Sequence, residues 1–83
     1  MREVINMYEF ELESVHSRIP CYLVADDVSN RFAVRTFDTS GEVFQNLDQL
    51  LQWVEQEWHA NDFVRHDDFH SMLIQLKSSA LSE

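Results

Sequence analysis

Eighty-three residues carry 15 Asp and Glu against 6 Lys and Arg, a formal net charge of −9, and 45% of them are apolar. A chain of this length has room for one core and hence one domain, and its 6 Phe, 2 Trp and 2 Tyr exclude a disordered polymer, which lacks surface to bury. The charge balance also excludes ordinary phosphate-backbone binding, which needs a basic patch, so no direct nucleic-acid contact is expected.

Apolar stretches such as Tyr22-Leu23-Val24-Ala25 fall far short of the ~20 residues that cross a bilayer, so no membrane contact is expected. Met1-Arg2-Glu3-Val4-Ile5-Asn6 shows no charged leader running into an apolar segment. Cys21 is alone, which leaves no internal disulfide and no cysteine-based zinc cage. A cytoplasmic protein is the expectation, and no cofactor is implied.

Along the chain, Met7-Tyr8-Glu9-Phe10-Glu11-Leu12-Glu13 alternates with period two. That pattern predicts a half-buried strand with Tyr8, Phe10 and Leu12 inward and Glu9, Glu11 and Glu13 outward. Pro20 suits a turn or the start of the next strand. Cys21 to Ala25 reads as the second strand, closed by the turn chemistry of Asp26-Asp27-Val28-Ser29-Asn30. Arg31 to Phe37 reads as the third, hairpin-linked to the second, with Phe32 and Val34 on one face. Asp38-Thr39-Ser40-Gly41 is a turn whose glycine is expected at positive φ, and Glu42-Val43-Phe44 returns as a short fourth strand.

The period then changes. Leu47, Leu50, Leu51, Val54 and Trp58 line one helical face, after an Asn46…Gln49 start resembling a capping box and with Asp48 in the first turn. Phe69, Met72, Leu73, Leu76 and Ala80 repeat the spacing, with Asp67 and Asp68 at the helix start and Lys77 near its end. The tail from Ser78 is expected to fray. Strands across about residues 3–45 and helices at about 46–59 and 66–79 predict an α+β domain. Its antiparallel sheet of three to four strands is covered on one face by two C-terminal helices.

Catalytic constellations are weak. His66-Asp67-Asp68-Phe69-His70 places two histidines one helical turn apart, the spacing of a shared metal. It lacks the glutamate base and third ligand of a zinc hydrolase, so solvated helix capping is the plainer reading and metal binding a third one. Cys21, in a strand, has no activating neighbour in sequence and reads as a small buried hydrophobe. Gly41 alone cannot cradle a phosphate. No enzyme is expected.

The acid excess carries the functional reading. Glu9, Glu11 and Glu13 would stand about 6–7 Å apart on a strand face, with Asp26 and Asp27 at a hairpin tip and Glu55 on the first helix. Negative charge at such spacings imitates a phosphate backbone and attracts a basic protein surface. Polar faces are also simply solvated, and net charge keeps small proteins soluble. Trp53, beside the apolar stripe of the first helix, packs over the sheet edge or anchors a partner. With Ile74 it would make an apolar patch suited to a dimer.

The run from the hairpin through Phe37-Asp38-Thr39-Ser40 into Leu47-Asp48-Gln49-Leu50-Leu51-Gln52-Trp53 resembles the layout of small phage-encoded anti-CRISPR proteins. The likeness covers order and character over about residues 31–58. It implies a compact acidic domain that binds a CRISPR effector complex and blocks target DNA, in some cases as a DNA mimic. Nuclease immunity proteins are similar in size and charge, and no family residue maps onto a position here. The leading expectation is a non-enzymatic inhibitor, monomeric or dimeric, that binds a basic nucleic-acid-binding protein through Glu9, Glu11, Glu13, Asp26, Asp27, Glu55 and Trp53. The alternative is a structural or regulatory subunit that oligomerises through an apolar patch.

Overall fold

The computed structural model describes residues 7–81, without the side chains of residues 79–81. The first part of the expected strand region, residues 3–6, lies outside the described residues. Four strands, β1 (Met7–Leu12), β2 (Cys21–Asp26), β3 (Arg31–Arg35) and β4 (Gly41–Phe44), are followed by helices α1 (Leu47–Glu57) and α2 (His66–Leu81). One turn of 3-10 helix, Ala60–Asp62, lies between them. The strands form one antiparallel meander in the order β1-β2-β3-β4. The α+β architecture read from the sequence is the observed one, and α1 and α2 cover a single face of the sheet.

Register follows the hydrophobic pattern. Phe10 pairs with Leu23, Leu23 with Val34, and Phe32 with Phe44. Directly paired residues share a face, so Tyr8, Phe10, Leu12, Cys21, Leu23, Ala25, Phe32, Val34 and Phe44 make the inner surface. Leu50, Leu51 and Val54 of α1 and Phe69, Met72 and Leu76 of α2 close over it. Leu50, Val54, Met72 and Leu76 are completely buried, and each such side chain contributes about 1.5–3 kcal/mol relative to exposure. A one-residue slip of β1 would turn Tyr8, Phe10 and Leu12 to solvent, which fixes its pairing.

An aromatic series ties the layers together. Phe44, Trp53, Trp58, Phe63 and Phe69 follow one another with ring centroids 6.0, 5.6, 5.5 and 5.0 Å apart. These separations suit edge-to-face or offset contact, worth about 0.5–1.5 kcal/mol per pair beyond burial. The buried Trp58 indole Nε1 donates to Thr36 Oγ1 at 2.9 Å, so its polar edge is satisfied. Beyond β1, Val15 N donates to the Asp62 carbonyl and Val64 N to the Glu13 carbonyl, both at 2.9 Å. The antiparallel bridge Ser14–Phe63 thus clasps the end of β1 to the segment between the helices.

Three local expectations are corrected. Gly41 does not take the left-handed conformation; Thr39 does, with φ 67°. Thr39 N donates to the Thr36 carbonyl and Thr36 N to the Ser40 carbonyl, each at 3.0 Å, a three-residue hairpin loop that puts the left-handed residue at position 39. Gly41 instead opens β4 opposite Arg35. The third strand ends at Arg35 rather than Phe37, because that same loop begins at Thr36. The second helix ends at Leu81 rather than near residue 79, since Lys77-Ser78-Ser79-Ala80-Leu81 contains neither Gly nor Pro; residues 82–83 of the expected tail lie outside the described residues. The start of α1 is as expected, Asn46 Oδ1 accepting from Gln49 N at 2.9 Å. In place of the reciprocal bond, Gln45 N rather than Asn46 N donates to Gln49 Oε1.

Candidate binding surface

The outer face of the sheet is polarised. Glu9 and Glu11 project from β1 onto this face, and Glu13 follows just past the strand end, all exposed. Tyr22 Oη donates to Glu9 Oε2 at 2.8 Å, and that bond, with a smaller contribution from burial, raises the phenol above its ordinary value of 10.0. Arg35 lies over the Tyr22 ring at 5.9 Å and donates to the Pro20 carbonyl. Arg31 sits opposite Asp26. Acids therefore hold the β1 side of the face and the two arginines the β3 side, with Tyr22 and Val24 between them.

Asp26 ends β2 on this face, level with Met7. Its carboxylate accepts from the backbone of Val28 and Ser29 and from Ser29 Oγ. The Ser29 hydroxyl is the main reason its pKa lies below the ordinary value, so Asp26 stays charged. Asp27 is exposed in the same loop, which Asn30 closes in the left-handed region at φ 60°. Glu55 stands apart from the row, on the helical layer, where Lys77 of α2 pairs with it. At this exposure such a pair contributes only a few tenths of a kcal/mol. Trp53 is half-buried between Phe44 and Trp58, over the β4 edge; Ile74 is exposed on α2.

A groove of about 790 Å3 opens where the loop after β1, the β3–β4 hairpin and the second half of α1 meet. Phe37 and Trp53 line it with His16, Asp38, Glu42 and Glu57. Glu42 pairs with Val34 on the inner side of β4, but on this edge strand it is exposed to solvent. Glu57 occupies the last turn of α1, which holds no basic residue, although the negative end of a helix dipole disfavours an anion there. Asp38 accepts from Ser40 N and Ser40 Oγ, and the hydroxyl bond chiefly holds its pKa below the ordinary value. The sequence reading missed Phe37, Asp38, Glu42 and Glu57. Two signals were available: a glutamate at an inward strand position and another at a helix C-terminus. On the β1 side, a smaller recess of about 290 Å3 is lined by Glu11, Glu13, Arg65 and Asp68.

His16 Nε2 and Asp62 Oδ1 are 2.8 Å apart, and the His16 ring lies against Phe37. Burial pushes the Asp62 carboxyl up, but the His16 ring and the His59 backbone N–H together hold it below its ordinary value. Cys21 is buried in β2, and that burial, aided by the Asp62 charge, pushes its thiol up to about 11, so this sulfur is not an activated nucleophile. His66 and His70 are exposed, one turn apart on α2. Among the described residues no group of three His, Cys, Asp or Glu side chains is placed to hold a metal ion, and no helix is long and apolar enough to cross a membrane. Comparison with protein-family models, curated proteins and solved structures gave no match.

Proposed function

We propose that the protein is a non-catalytic, acidic binding module that occupies a basic protein surface, of the kind that nucleic-acid-binding proteins present, and inhibits that partner by competing for its nucleic acid. One observation carries this reading: among the described residues, only Glu55 and Asp62 meet a basic side chain. Among the described residues, the acids of β1, of the β2–β3 loop and of the groove form no ion pair with a lysine or arginine, although Arg31 stands across from Asp26 and Arg65 lies beside Glu11 and Glu13. A surplus of this kind accelerates encounter with a cationic surface and weakens as salt rises.

The layout shared with small anti-CRISPR proteins, and the size and charge shared with nuclease immunity proteins, favour an inhibitor acting in the cytoplasm on such a partner. The oligomeric alternative draws less support, since the exposed apolar residues Met7, Val15, Ile19, Val28, Val43, Val64 and Ile74 are spread over β1, three loops, β4 and α2, and only Val15 and Val64 are brought together, across the clasp.

The test is displacement of labelled duplex DNA from a CRISPR effector complex and from a basic nuclease, at low and high salt. Displacement that salt suppresses, and that reversal of Glu9, Glu11 and Glu13 to lysine abolishes, is the expected result. No displacement from either protein at low salt, or displacement unchanged by the triple reversal, removes the electrostatic mechanism.

A further inference from the structure

The groove between the β3–β4 hairpin and α1 differs from the glutamate row in having aromatic lining as well as charge. Phe37 and Trp53 are both only half-buried there, although each belongs to the aromatic packing of the core. Three carboxylates, Asp38, Glu42 and Glu57, surround them; among the described residues no lysine or arginine lines the groove, and its one other titratable group, His16, packs on one side of Phe37 and is held by Asp62. Glu57 is placed against local stability, at the negative end of a helix, while Glu42 shares the inward side of the edge strand β4 yet remains exposed to solvent. Residues that break a local rule without a compensating contact mark functional positions more often than structural ones.

We propose that this groove takes an arginine side chain of the basic partner, the guanidinium lying against the aromatic lining with Asp38, Glu42 and Glu57 around it. Charge complementarity selects a cation. The aromatic lining selects arginine over lysine, because a planar, weakly hydrated guanidinium stacks on ring faces while its fork of N–H donors reaches carboxylates. The volume of about 790 Å3 exceeds one side chain and leaves room for the peptide segment that carries it. Trp53, read from the sequence as either packing over the sheet edge or anchoring a partner, then acts as a wall of the site. This inference rests on the reading that the partner is a basic protein.

The experiment follows backbone amide and tryptophan indole NMR signals of the whole chain during titration with a blocked Gly-Arg-Gly peptide, and with its citrulline counterpart, which keeps the shape and removes the charge. Saturable shifts at residues 36–42, Glu57 and the Trp53 indole with arginine, and none with citrulline, are expected. The exposed double variant Glu42→Gln/Glu57→Gln should weaken binding about tenfold or more, as loss of charge-assisted hydrogen bonds does. The Glu9→Lys/Glu11→Lys/Glu13→Lys variant should leave the groove shifts in place. Shifts confined to β1, or equal shifts with both peptides, overturn the groove while leaving the basic-partner reading intact. So does an absence of shifts in a protein that still displaces DNA from its partner. No shifts together with no displacement removes both.

Discussion

The hydrogen bond between Trp58 and Thr36 offers a direct measure of how far polar satisfaction decides the stability of this core. Trp58 is only 2% exposed, and its indole N–H has Thr36 Oγ1 as acceptor at 2.9 Å. Thr36→Val keeps the branched shape and approximate volume but removes the acceptor. The N–H is then buried without a partner, at a cost of about 1–3 kcal/mol. That is a large fraction of the roughly 5–15 kcal/mol that holds a domain folded. With a slope of about 4–8 °C per kcal/mol for a domain of this size, a loss near 2 kcal/mol lowers Tm by roughly 8–16 °C.

Urea unfolding followed by tryptophan fluorescence, with calorimetry for Tm, reads the loss. Thr36→Ser, which retains the hydroxyl, serves as the control for the bond itself. In a Trp58→Phe background there is no N–H to orphan, so Thr36→Val should cost about 1 kcal/mol less than in the parent. A Thr36→Val protein within about 0.5 kcal/mol of the parent, the scatter expected of ordinary surface changes, would refute the reasoning. So would an equal cost in both backgrounds.

Three further outcomes are expected. Asp62 has its pKa lowered in the folded protein, so the unfolded chain takes up the proton first as pH falls. Its stabilisation is complete above the ordinary carboxylate value of 3.8 and is lost as pH drops through the lower folded value. Asp62→Asn should therefore flatten the acid limb of a Tm–pH curve, and parallel limbs would contradict this. Cys21, buried with its thiol pushed up to about 11, should resist a disulfide reagent at neutral pH until urea unfolds the chain; fast labelling of the native protein would show an open β2. Thr39→Asn should stabilise by about 0.5–1 kcal/mol, because a β-branched residue at φ 67° is strained where asparagine is tolerated. A lower Tm for that variant would mean that the Thr39 hydroxyl bond to the Asp38 carbonyl outweighs the strain.

What could be read in the sequence was whatever repeats. Tyr8, Phe10 and Leu12 at period two, and Leu50, Leu51 and Val54 followed by Phe69, Met72 and Leu76 at helical spacing, identify β1, α1, α2 and the core between them, because solvent exclusion acts on every residue of a face at once. Single positions were less legible. Val24 is buried on the outer face, and the unbroken run Cys21–Ala25 hides which of its members face the helices. Phe63, almost fully buried, belongs to no periodic stripe; the clasp at Ser14 holds it in place. The chain's one glycine drew the positive-φ expectation away from Thr39, since loop length rather than residue type decided that position. The acid row was legible as a row. The groove was not, because its lining comes from the loop after β1, the β3–β4 hairpin, β4 and α1, which only the packed fold brings together.

The meander joins each strand to its neighbour in sequence, so its loops close over short spans and should form early and quickly. The clasp beyond β1, like the packing of α2 on β1, joins distant positions: His16 and Asp62, at its margin, are separated by 46. Closing so long a span costs more chain entropy than any hairpin turn here. That tie is expected to lock after the hairpins of the meander during refolding. In native-state hydrogen exchange, the amides of Val15 and Val64 should then open well before those of β2, so that the fold loosens first along this seam.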